Sequence, residues 1–488
     1  MPVNSINNTN FKGKTDIRAI TDIHQYADRQ CRLLNQVYLD SLKGKNTVLL
    51  DNGDLFKGIY PKSVVTNTYN ELKKLNPNLE IVFNVGNNDP GYDANDRHNF
   101  YDFVKNLNKD NIHIISSNIY DKATGNLPNG IKPYTVIERD GDKLMYLGFS
   151  VDEFTQNVTG MSSKNPVDVL SDMAPTLRNV IDNEKIRGII LMVHDGPETV
   201  AKLKNKAKEL GLKVIMALGG HVHYAYENDS ERIYLPEPFG TSMLSFDINF
   251  NKQGDVSGFS HKQVRSNDLG LGIFKEKIDA INEKEGYYKP LAKSVIGLDF
   301  VWDKEHLLKP SELGTFYADG IKNIAQTEIG IVPKGWIYYA FPYKENDWVN
   351  KMDILTAFSQ PVKPIFKITI SPETLKGLYQ SQLSKRNRLL ESSQNMGIII
   401  EDNQVKQIYI HNEPLLDGNG LAINPNRKIV AAIDYFTVKD MDIEKYALKE
   451  TMYDGIVDNF KRMAKEYHEG DRYPLPKVIY SNGNRFLS

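Results

Sequence analysis

Short polar motifs follow successive apolar runs in the first half of this 488-residue chain. The apolar runs cover residues 17–23, 47–50, 81–85, 188–193 and 214–218, and each is typical of a buried β-strand. The motifs are Asp22-Ile23-His24, Gly53-Asp54, Gly86-Asn87-Asn88-Asp89, His194 and Gly219-Gly220-His221-Val222-His223. An alternation of strand, polar motif and helix lets an α/β fold collect distant side chains at one edge of a sheet. The sequence therefore predicts an α/β first half with one polar site.

The residue types in these motifs are typical metal ligands. They combine carboxylates, an amide oxygen and imidazoles, a mixture that suits Zn, Mn or Fe rather than calcium or an iron–sulfur cluster. The single cysteine, Cys31, excludes an intramolecular disulfide and a thiolate-rich metal site. Each motif alone is common turn chemistry, so the prediction depends on their joint occurrence in this order. The predicted ligands are Asp22, His24, Asp54, Asn87, His194, His221 and His223.

Asp54 is the predicted bridge between two divalent ions, because its carboxylate offers one oxygen to each. The other ligands divide between a first ion (Asp22, His24 and His223) and a second ion (Asn87, His194 and His221). Two ions about 3.5–4 Å apart can clamp a phosphoryl group and hold a hydroxide between them. Glycines at positions 53, 86, 219 and 220 would let the backbone turn tightly beside the ions.

The length and patterning of the chain predict two domains, since 488 residues exceed one ordinary core. Residues 16–264 alternate strands and helices, whereas the pattern from residue 289 onwards is α+β. Residues 271–288 have the charge and spacing of a connecting helix. We therefore expect a flexible N-terminus over residues 1–15, a first domain over 16–268, a linker helix over 269–290 and a second domain over 291–488.

Several elements can be predicted individually. Helical apolar spacing predicts helices over residues 28–42, 197–210 and 310–324, with Cys31 on the apolar face of the first. Residues 232–235, 242–250 and 258–264 are expected to form antiparallel strands around a turn at 251–254.

Charge and hydropathy limit the kinds of binding partner that the chain is expected to have. The net charge of −2, without a long single-sign block, argues against a general nucleic-acid binder. Residues 1–15 lack the apolar core of a signal peptide, and no apolar stretch is long enough to span a bilayer. We therefore expect no nucleic-acid or membrane partner and a cytoplasmic location by default, with export left open. The oligomeric state has no signature in the sequence.

The motif order Asp-x-His, Gly-Asp, Gly-Asn-x-Asp/Glu, His and Gly-His-x-His resembles that of the calcineurin-like metallophosphoesterase superfamily. The resemblance implies a four-layer αββα sandwich around a binuclear metal centre. The chain is most similar to the branch of bacterial 5′-nucleotidases and 2′,3′-cyclic-nucleotide phosphodiesterases, in which a helix leads to an α+β second domain. Three parts of the tail are similar to that second domain: residues 352–358 followed by 365–383, residues 404–416, and residues 428–436.

Asn88 departs from the family pattern, which has a histidine at this position. In the family that imidazole contacts the phosphate and can protonate the leaving oxygen. An amide can donate a hydrogen bond to a phosphate oxygen, but it cannot act as a general acid, whose contribution is typically about 10²–10⁴-fold. We therefore assign Asn88 as a catalytic residue that steadies a non-bridging oxygen. His98, slightly further along, is a weaker candidate for the missing imidazole.

The tail also departs from the family pattern. The Asn-Gly-Gly-x-Arg stretch that binds phosphate or nucleoside in 5′-nucleotidases would fall near residues 331–336, which here read Ile-Val-Pro-Lys-Gly-Trp. Two aromatic residues sandwich the base in that family. Tyr435 or Phe436 stands near one of these positions, and Asn395-Met396-Gly397 stands at the other. Tyr435 and Phe436 are therefore the substrate-binding candidates, and nucleotide specificity is open.

These observations predict a binuclear-metal-dependent hydrolase of phosphoric esters. Its expected substrates are small nucleotide-like phosphomonoesters, as in nucleotide catabolism, cleaved by a hydroxide bridging the ions. One alternative is a phosphodiesterase or pyrophosphohydrolase, which would leave the far side of the phosphate open. Another is a binding protein that retains its metals but has lost most of its catalysis, with Asn88 as the trace of that loss.

Overall fold

Two structural units divide the chain, Met1–Ala280 and Ile281–Ser488. The computed structural model describes residues 13–43, 47–56, 60–90, 101–102, 104–105, 107, 112–151, 160–298, 308–337, 347–358, 363–386, 388–438 and 441–480. The side chains of Trp336, Lys385, Arg386, Tyr435 and Phe436 also lie outside the described part.

The first unit is built around two large sheets, with a small two-stranded sheet and the helices that cover the large sheets. Its strands are β1 (Lys14–Ile20), β2 (Thr47–Asp51), β3 (Glu80–Asn84), β4 (Ile112–Ile115), β5 (Ile119–Asp121), β6 (Tyr134–Arg139), β7 (Asp142–Ser150), β8 (Met161–Ser163), β9 (Gly188–His194), β10 (Val214–Leu218), β11 (Tyr226–Asn228), β12 (Ile233–Leu235), β13 (Ser242–Phe250) and β14 (Val256–Arg265). Its helices are α1 (Ala27–Leu42), α2 (Lys62–Leu75), α3 (Pro166–Glu184), α4 (Pro197–Glu209) and α5 (Lys275–Glu285), the last of which spans the division between the units.

The two large sheets are six-stranded, with orders β14-β13-β1-β2-β3-β4 and β11-β12-β10-β9-β7-β6, and the small sheet pairs β5 with β8. Apolar side chains from both large sheets, such as Leu50 and Met192, form the core between them. Helices α3 and α4 cover the outer face of the second sheet, where Leu170 and Leu203 pack with Leu191. Helix α1 contacts β2 and α2 on the side of the first sheet, and Cys31 is buried there as predicted. This four-layer αββα arrangement confirms the predicted fold class of the first half.

The strands that precede the polar motifs are buried and parallel. β1, β2 and β3 pair in parallel, as do β7, β9 and β10, so their carboxyl ends share an edge within each sheet. The strand predicted over residues 214–218 is correct to the residue, and those near 47–50, 81–85 and 188–193 are correct to within one residue. The strand predicted over 17–23 ends at Ile20 instead. Asp22 and His24 have φ values of 50° and 47°, which a strand cannot accommodate.

One strand pairing differs from the prediction. β13 and β14 pair antiparallel, as expected. However, β12 belongs to the other sheet, where it pairs in parallel with β10 and antiparallel with β11. Pro236 and Pro238 follow β12, and proline cannot donate to a β-ladder. The chain therefore leaves one sheet at this point and enters the other.

The second unit is α+β, as predicted. Its strands are β15 (Pro290–Lys293), β16 (Ile329–Pro333), β17 (Trp348–Asn350), β18 (Pro364–Ile370), β19 (Leu390–Ser392), β20 (Met396–Glu401), β21 (Gln404–Ile410), β22 (Glu413–Pro414), β23 (Ile429–Ile433), β24 (Lys445–Thr451) and β25 (Lys477–Tyr480). Its helices are α6 (Glu312–Ala325), α7 (Lys351–Ala357), α8 (Pro372–Arg386), α9 (Tyr435–Val438) and α10 (Met452–Glu466). A five-stranded sheet, β19-β16-β23-β18-β24, and a four-stranded sheet, β22-β21-β20-β25, form its framework.

Among the described residues of both units, no helix combines the length and the apolar character needed to cross a bilayer.

Helices α6 and α10 approach closely through two glycines. A methyl group at Gly320 would lie 2.6 Å from the carbonyl oxygen of Gly455. Phe316 of α6 packs on Phe460 of α10, with ring centroids 4.6 Å apart. The close contact of the two backbones therefore sets the core of this unit.

We predict opposite effects for alanine at two helical glycines of the second unit. Gly320→Ala should lower the free energy of unfolding, because overpacking costs about 1–3 kcal/mol and exceeds the roughly 1 kcal/mol gain in helix propensity. Gly377 in α8 faces open space, so Gly377→Ala should raise it by up to about 1 kcal/mol. Urea unfolding measures both, and an equal gain in the two variants would contradict the packing described for α6 and α10.

Candidate metal centre

The loops after β1, β2 and β10 and the last residue of β9 bring six predicted ligand side chains together. Their ligand atoms form two groups, and within each group all atoms lie within 4.8 Å of one another. The first group is Asp22, His24, Asp54 and His223, and the second is Asp54, His194 and His221. Asp54 belongs to both groups. The seventh predicted ligand, Asn87, lies beside the second group, with its Oδ1 2.9 Å from Nδ1 of His221.

The spacing of these atoms fits a shared cation. The Nε2 atoms of His24 and His223 lie 3.0 Å apart, and Nε2 of His194 lies 3.2 Å from Oδ2 of Asp54. Nε2 of His223 lies 3.4 Å from Oδ1 of Asp22. Ligand atoms bound about 2.0–2.2 Å from one ion are about 3.3–3.6 Å from each other in tetrahedral geometry, close to these separations. The donor set and its spacing therefore suit a transition metal in each group.

Backbone carbonyl groups orient two of the imidazoles. Nδ1 of His24 lies 3.1 Å from the carbonyl oxygen of Phe56, and Nδ1 of His194 lies 2.7 Å from that of Asn52. If each Nδ1–H donates to its carbonyl group, the lone pair of Nε2 faces the site. Nε2 of His194 is buried and lacks a hydrogen-bond partner within the described residues. A cation at this position would satisfy that nitrogen.

Buried charges couple the ligands to one another. Burial alone would raise the pKa of Asp54, but the His194 and His24 imidazoles outweigh it and hold that pKa below its usual range. Burial would also raise the pKa of Asp22, but the His194 and His223 imidazoles outweigh it and hold that pKa well below its usual range. Burial would lower the pKa of His194, but Asp54 and Asp22 raise it to about 10. The carboxylates thus attract a positive charge to His194, and a metal ion would have to displace its proton.

The ligand loops hold strained backbone conformations. Five ligands lie in the left-handed region, with φ values of 50° for Asp22, 47° for His24, 58° for Asp54, 69° for His221 and 55° for His223. Such residues cost about 1–3 kcal/mol each and cluster at functional sites. Hydrogen bonds between loops stabilise them, including Asp22 N–H to the Gly53 carbonyl oxygen and His24 N–H to that of Asp54, both at 2.8 Å.

Two of the predicted turn glycines are needed for close approach. A methyl group at Gly86 would lie 2.3 Å from Oδ1 of Asp54. A methyl group at Gly220 would lie 2.9 Å from Oδ2 of Asp22 and 3.2 Å from Nδ1 of His194. A side chain at either position would displace a ligand.

Asp89 has a positioning function that the sequence reasoning did not assign. Its carboxylate accepts hydrogen bonds from the backbone N–H groups of Asp54 (3.0 Å), Leu55 (2.9 Å), Phe56 (3.4 Å) and Gly86 (2.7 Å). It therefore ties the loop after β2 to the loop after β3. Its position at the end of the Gly-Asn-Asn-Asp motif was the sequence feature that could have indicated this function.

The buried amides of Asn52 and Asn84 also support the site, and no sequence motif indicated this function. Nδ2 of Asn84 donates to Oδ1 of Asn52 and to the carbonyl oxygen of Phe149. Nδ2 of Asn52 donates to the carbonyl oxygen of Val193, 3.0 Å away. The carbonyl oxygen of Asn52 is the partner of His194, so these amides link both sheets beneath the second ligand group.

Asn88 contacts the predicted bridge. Its Nδ2 donates to Oδ2 of Asp54, and its backbone N–H donates to Oδ1 of the same carboxylate at 2.8 Å. The contact of Asn88 with a phosphate oxygen stays a prediction. His98 lies outside the described residues.

The substrate-binding candidates of the tail are only partly described. Tyr435 and Phe436 begin α9, and their side chains lie outside the described part. Lys334, in the stretch that replaces Asn-Gly-Gly-x-Arg, is buried and forms an ion pair with buried Glu391 at 2.7 Å. This lysine therefore has a contact within its own unit.

Two curated proteins are similar to part of the chain. Trifunctional nucleotide phosphoesterase protein YfkN of Bacillus subtilis is 27% identical over 236 residues, covering 43% of this chain and 15% of that protein. NAD 5′-nucleotidase of Haemophilus influenzae is 26% identical over 250 residues, covering 50% of this chain and 38% of that protein. The chain thus matches well under half the length of either relative.

A solved structure shares the fold of the chain. The 5′-nucleotidase precursor from Thermus thermophilus matches with a TM-score of 0.70 at 13% identity, covering 97% of this chain and 100% of that one. At this identity the likeness shows the fold alone, and it agrees with the predicted two-domain organisation.

The family model described as calcineurin-like phosphoesterase matches residues 16–225, the part of the chain that contains every predicted metal ligand. The resemblance inferred from the motif order is therefore confirmed. Residues 16–225 form a calcineurin-like phosphoesterase domain.

Proposed function

We propose that the chain is a hydrolase of phosphoric esters that uses two divalent ions, of Zn, Mn or Fe. The observation that carries this proposal is the position of Asp54, whose carboxylate belongs to both groups of candidate ligand atoms. The orphaned Nε2 of His194 and the spacing of the imidazoles support it further.

The residues of the chain have separate tasks in this proposal. Two ions, when bound, supply positive charge for a phosphoryl group and lower the pKa of a water molecule. Asp54 joins the two ligand groups, and the carbonyl groups of Phe56 and Asn52 keep His24 and His194 oriented. Asn88 donates from its amide to Oδ2 of Asp54, and its proposed task is to hold an anionic oxygen of the substrate. Because an amide does not supply a general acid, the leaving group departs with its proton drawn from solvent.

The proposed substrates are small nucleotide-like phosphomonoesters. The similarity to a nucleotide phosphoesterase and to an NAD 5′-nucleotidase supports this class. Residues 291–488 are proposed to be the substrate-binding domain, with residues 269–290 as the linker. The likeness of the tail to the 5′-nucleotidase second domain supports that assignment.

A phosphodiesterase or pyrophosphohydrolase is the second candidate function. Asn88 favours it, because a reaction without a general acid is faster with good leaving groups such as nucleotide phosphates. The two candidates share the metal centre and differ in the phosphate ester that is cleaved.

A substrate comparison tests the proposed function. With added Mn²⁺ or Zn²⁺, the protein should hydrolyse p-nitrophenyl phosphate and nucleoside monophosphates faster than bis-(p-nitrophenyl) phosphate, and a chelator should abolish both reactions. Faster diester cleavage would favour the second candidate. Bound metal without turnover on any phosphate ester would contradict both and leave a metal-retaining binding protein.

Asp54→Ala should abolish paired metal binding and hydrolysis together, because it removes the carboxylate common to both ligand groups. Metal content after gel filtration and the rate of phosphate release measure the two effects. Asp40→Asn is a matched control, since Asp40 is also buried but pairs with Arg18 at 2.8 Å. It should retain both ions, and a variant of Asp54 that still bound two ions would rule out the bridge.

Asn88→His should raise monoesterase activity, by up to about 10²–10⁴-fold, if the missing general acid limits the reaction. The gain should be largest for substrates with poor leaving groups, such as alkyl phosphates, because these depend most on protonation. Steady-state kcat across a series of leaving groups measures it. Asn88→Gln keeps an amide and should show no gain. If Asn88→His also showed none, the function assigned to position 88 would be wrong.

A further inference from the structure

Phe239 has a backbone conformation that large side chains rarely adopt. It lies between β12 and β13, where Pro236 and Pro238 precede it. Its φ of 59° is in the left-handed region, in which the Cβ atom of an L-residue crowds the following carbonyl oxygen. Such a conformation persists only where surrounding contacts determine it. Phe239 is buried, so its packing can supply those contacts.

Hydrogen bonds hold the backbone of Phe239 on both sides. Its N–H donates to the carbonyl oxygen of Asp22 at 2.7 Å. Its own carbonyl oxygen accepts from Nη1 of Arg29 at 3.3 Å. The first bond ends on a candidate metal ligand, so the position of Phe239 is tied to the loop after β1.

The ring of Phe239 contacts two imidazoles of the first ligand group. Its centroid lies 5.6 Å from that of His24 and 5.0 Å from that of His223, which are separations typical of aromatic pairs. The same two imidazoles are 4.9 Å apart and nearly perpendicular, with their Nε2 atoms facing each other. In the second group, the rings of His194 and His221 contact each other. The contacts of Phe239 thus support the first group.

His223 has the most exposed side chain of the four ligands in this group. Its side chain is 24% exposed, whereas those of His24 and Asp22 are 4% and 1% exposed. An exposed side chain loses rotamer freedom when an ion fixes it, and that loss weakens binding. A rigid ring against His223 removes part of this freedom before the ion arrives.

We infer that Phe239 is a positioning residue for the ion that Asp22, His24, Asp54 and His223 would hold. This inference rests on the proposed binuclear centre. The strained backbone of Phe239 places its ring against His24 and His223, and the ring keeps their Nε2 atoms at the spacing that one ion needs. Loss of a residue that orients metal ligands typically weakens metal affinity about 10–100-fold. We expect a loss in this range at one ion, with the other ion unaffected.

Three variants separate the ring from the backbone. Phe239→Leu removes the aromatic contacts, Phe239→Tyr keeps them, and Phe239→Gly removes the ring while relieving the left-handed strain. The metal-free variants are titrated with Co²⁺ in competition with a chelator, and the visible spectrum of each bound ion is recorded. Phe239→Leu and Phe239→Gly should each lose about 10–100-fold in affinity for one ion, and Phe239→Tyr should bind both ions as the wild type does.

The spectrum identifies which ion is lost. The weakened site in Phe239→Leu should match the site missing from His223→Ala, and the retained site should match the one missing from His194→Ala. Phe250→Leu is the control for loss of a buried aromatic, since Phe250 packs in the core between the two sheets and lies beside the start of β1, away from the ligand loops. It should lower the melting temperature and keep both ions.

Several outcomes would overturn the inference. If Phe239→Leu bound both ions equally more weakly, Phe239 would have a general structural function and no specific effect on the first ligand group. Unchanged affinities in Phe239→Leu, with a wild type that binds two ions and hydrolyses phosphate esters, would reject the inference alone. A wild type that binds fewer than two ions would reject the binuclear proposal, and the inference with it.

Discussion

The rest of the site depends on the position of the Asp54 carboxylate. It is fully buried, in the loop after β2, and lies within reach of ligand atoms from three other strand ends. A buried carboxylate needs compensating positive charge. The neighbouring imidazoles supply part of it, and the spacing of the two ligand groups fits two cations that would supply the rest. The parallel strands deliver these side chains, because their carboxyl ends share an edge within each sheet.

The order of the site has a cost in backbone strain, which the sandwich beneath it offsets. Candidate ligands such as His24 and His221 have left-handed backbones. Asp89 accepts hydrogen bonds from four backbone N–H groups and so holds the ligand loops together. The hydrogen-bonded amides of Asn52 and Asn84 do the same. Gly86 and Gly220 allow approaches that any side chain would block. The ligands are thus organised by the fold before an ion binds, which reduces the entropy lost on binding.

The sequence predicted the elements whose signals are local, and several contacts that depend on tertiary structure were beyond it. The apolar runs before Asp54 and His221 identified their strands to within a residue, because buried parallel strands have continuous apolar patterns. The strand before Asp22 was predicted three residues too far along the chain, since the apolar Ile23 does not reveal the left-handed turn around it. β12 was expected beside β13 and β14, but it lies in the other sheet. The sheet that a short strand joins leaves no local pattern in the sequence. Asp89 was visible in its motif, but its function depends on a loop 35 residues away. Phe239 gave no signal, because only the folded chain brings it to His24 and His223.

The most direct test of this account is anomalous diffraction from crystals of the protein grown with Mn²⁺ or Zn²⁺. The account predicts two anomalous peaks about 3.5–4 Å apart, with Asp54 between them and the imidazoles of His223 and His194 on opposite sides. A single peak away from Asp54, or two peaks that do not share it, would contradict the central claim.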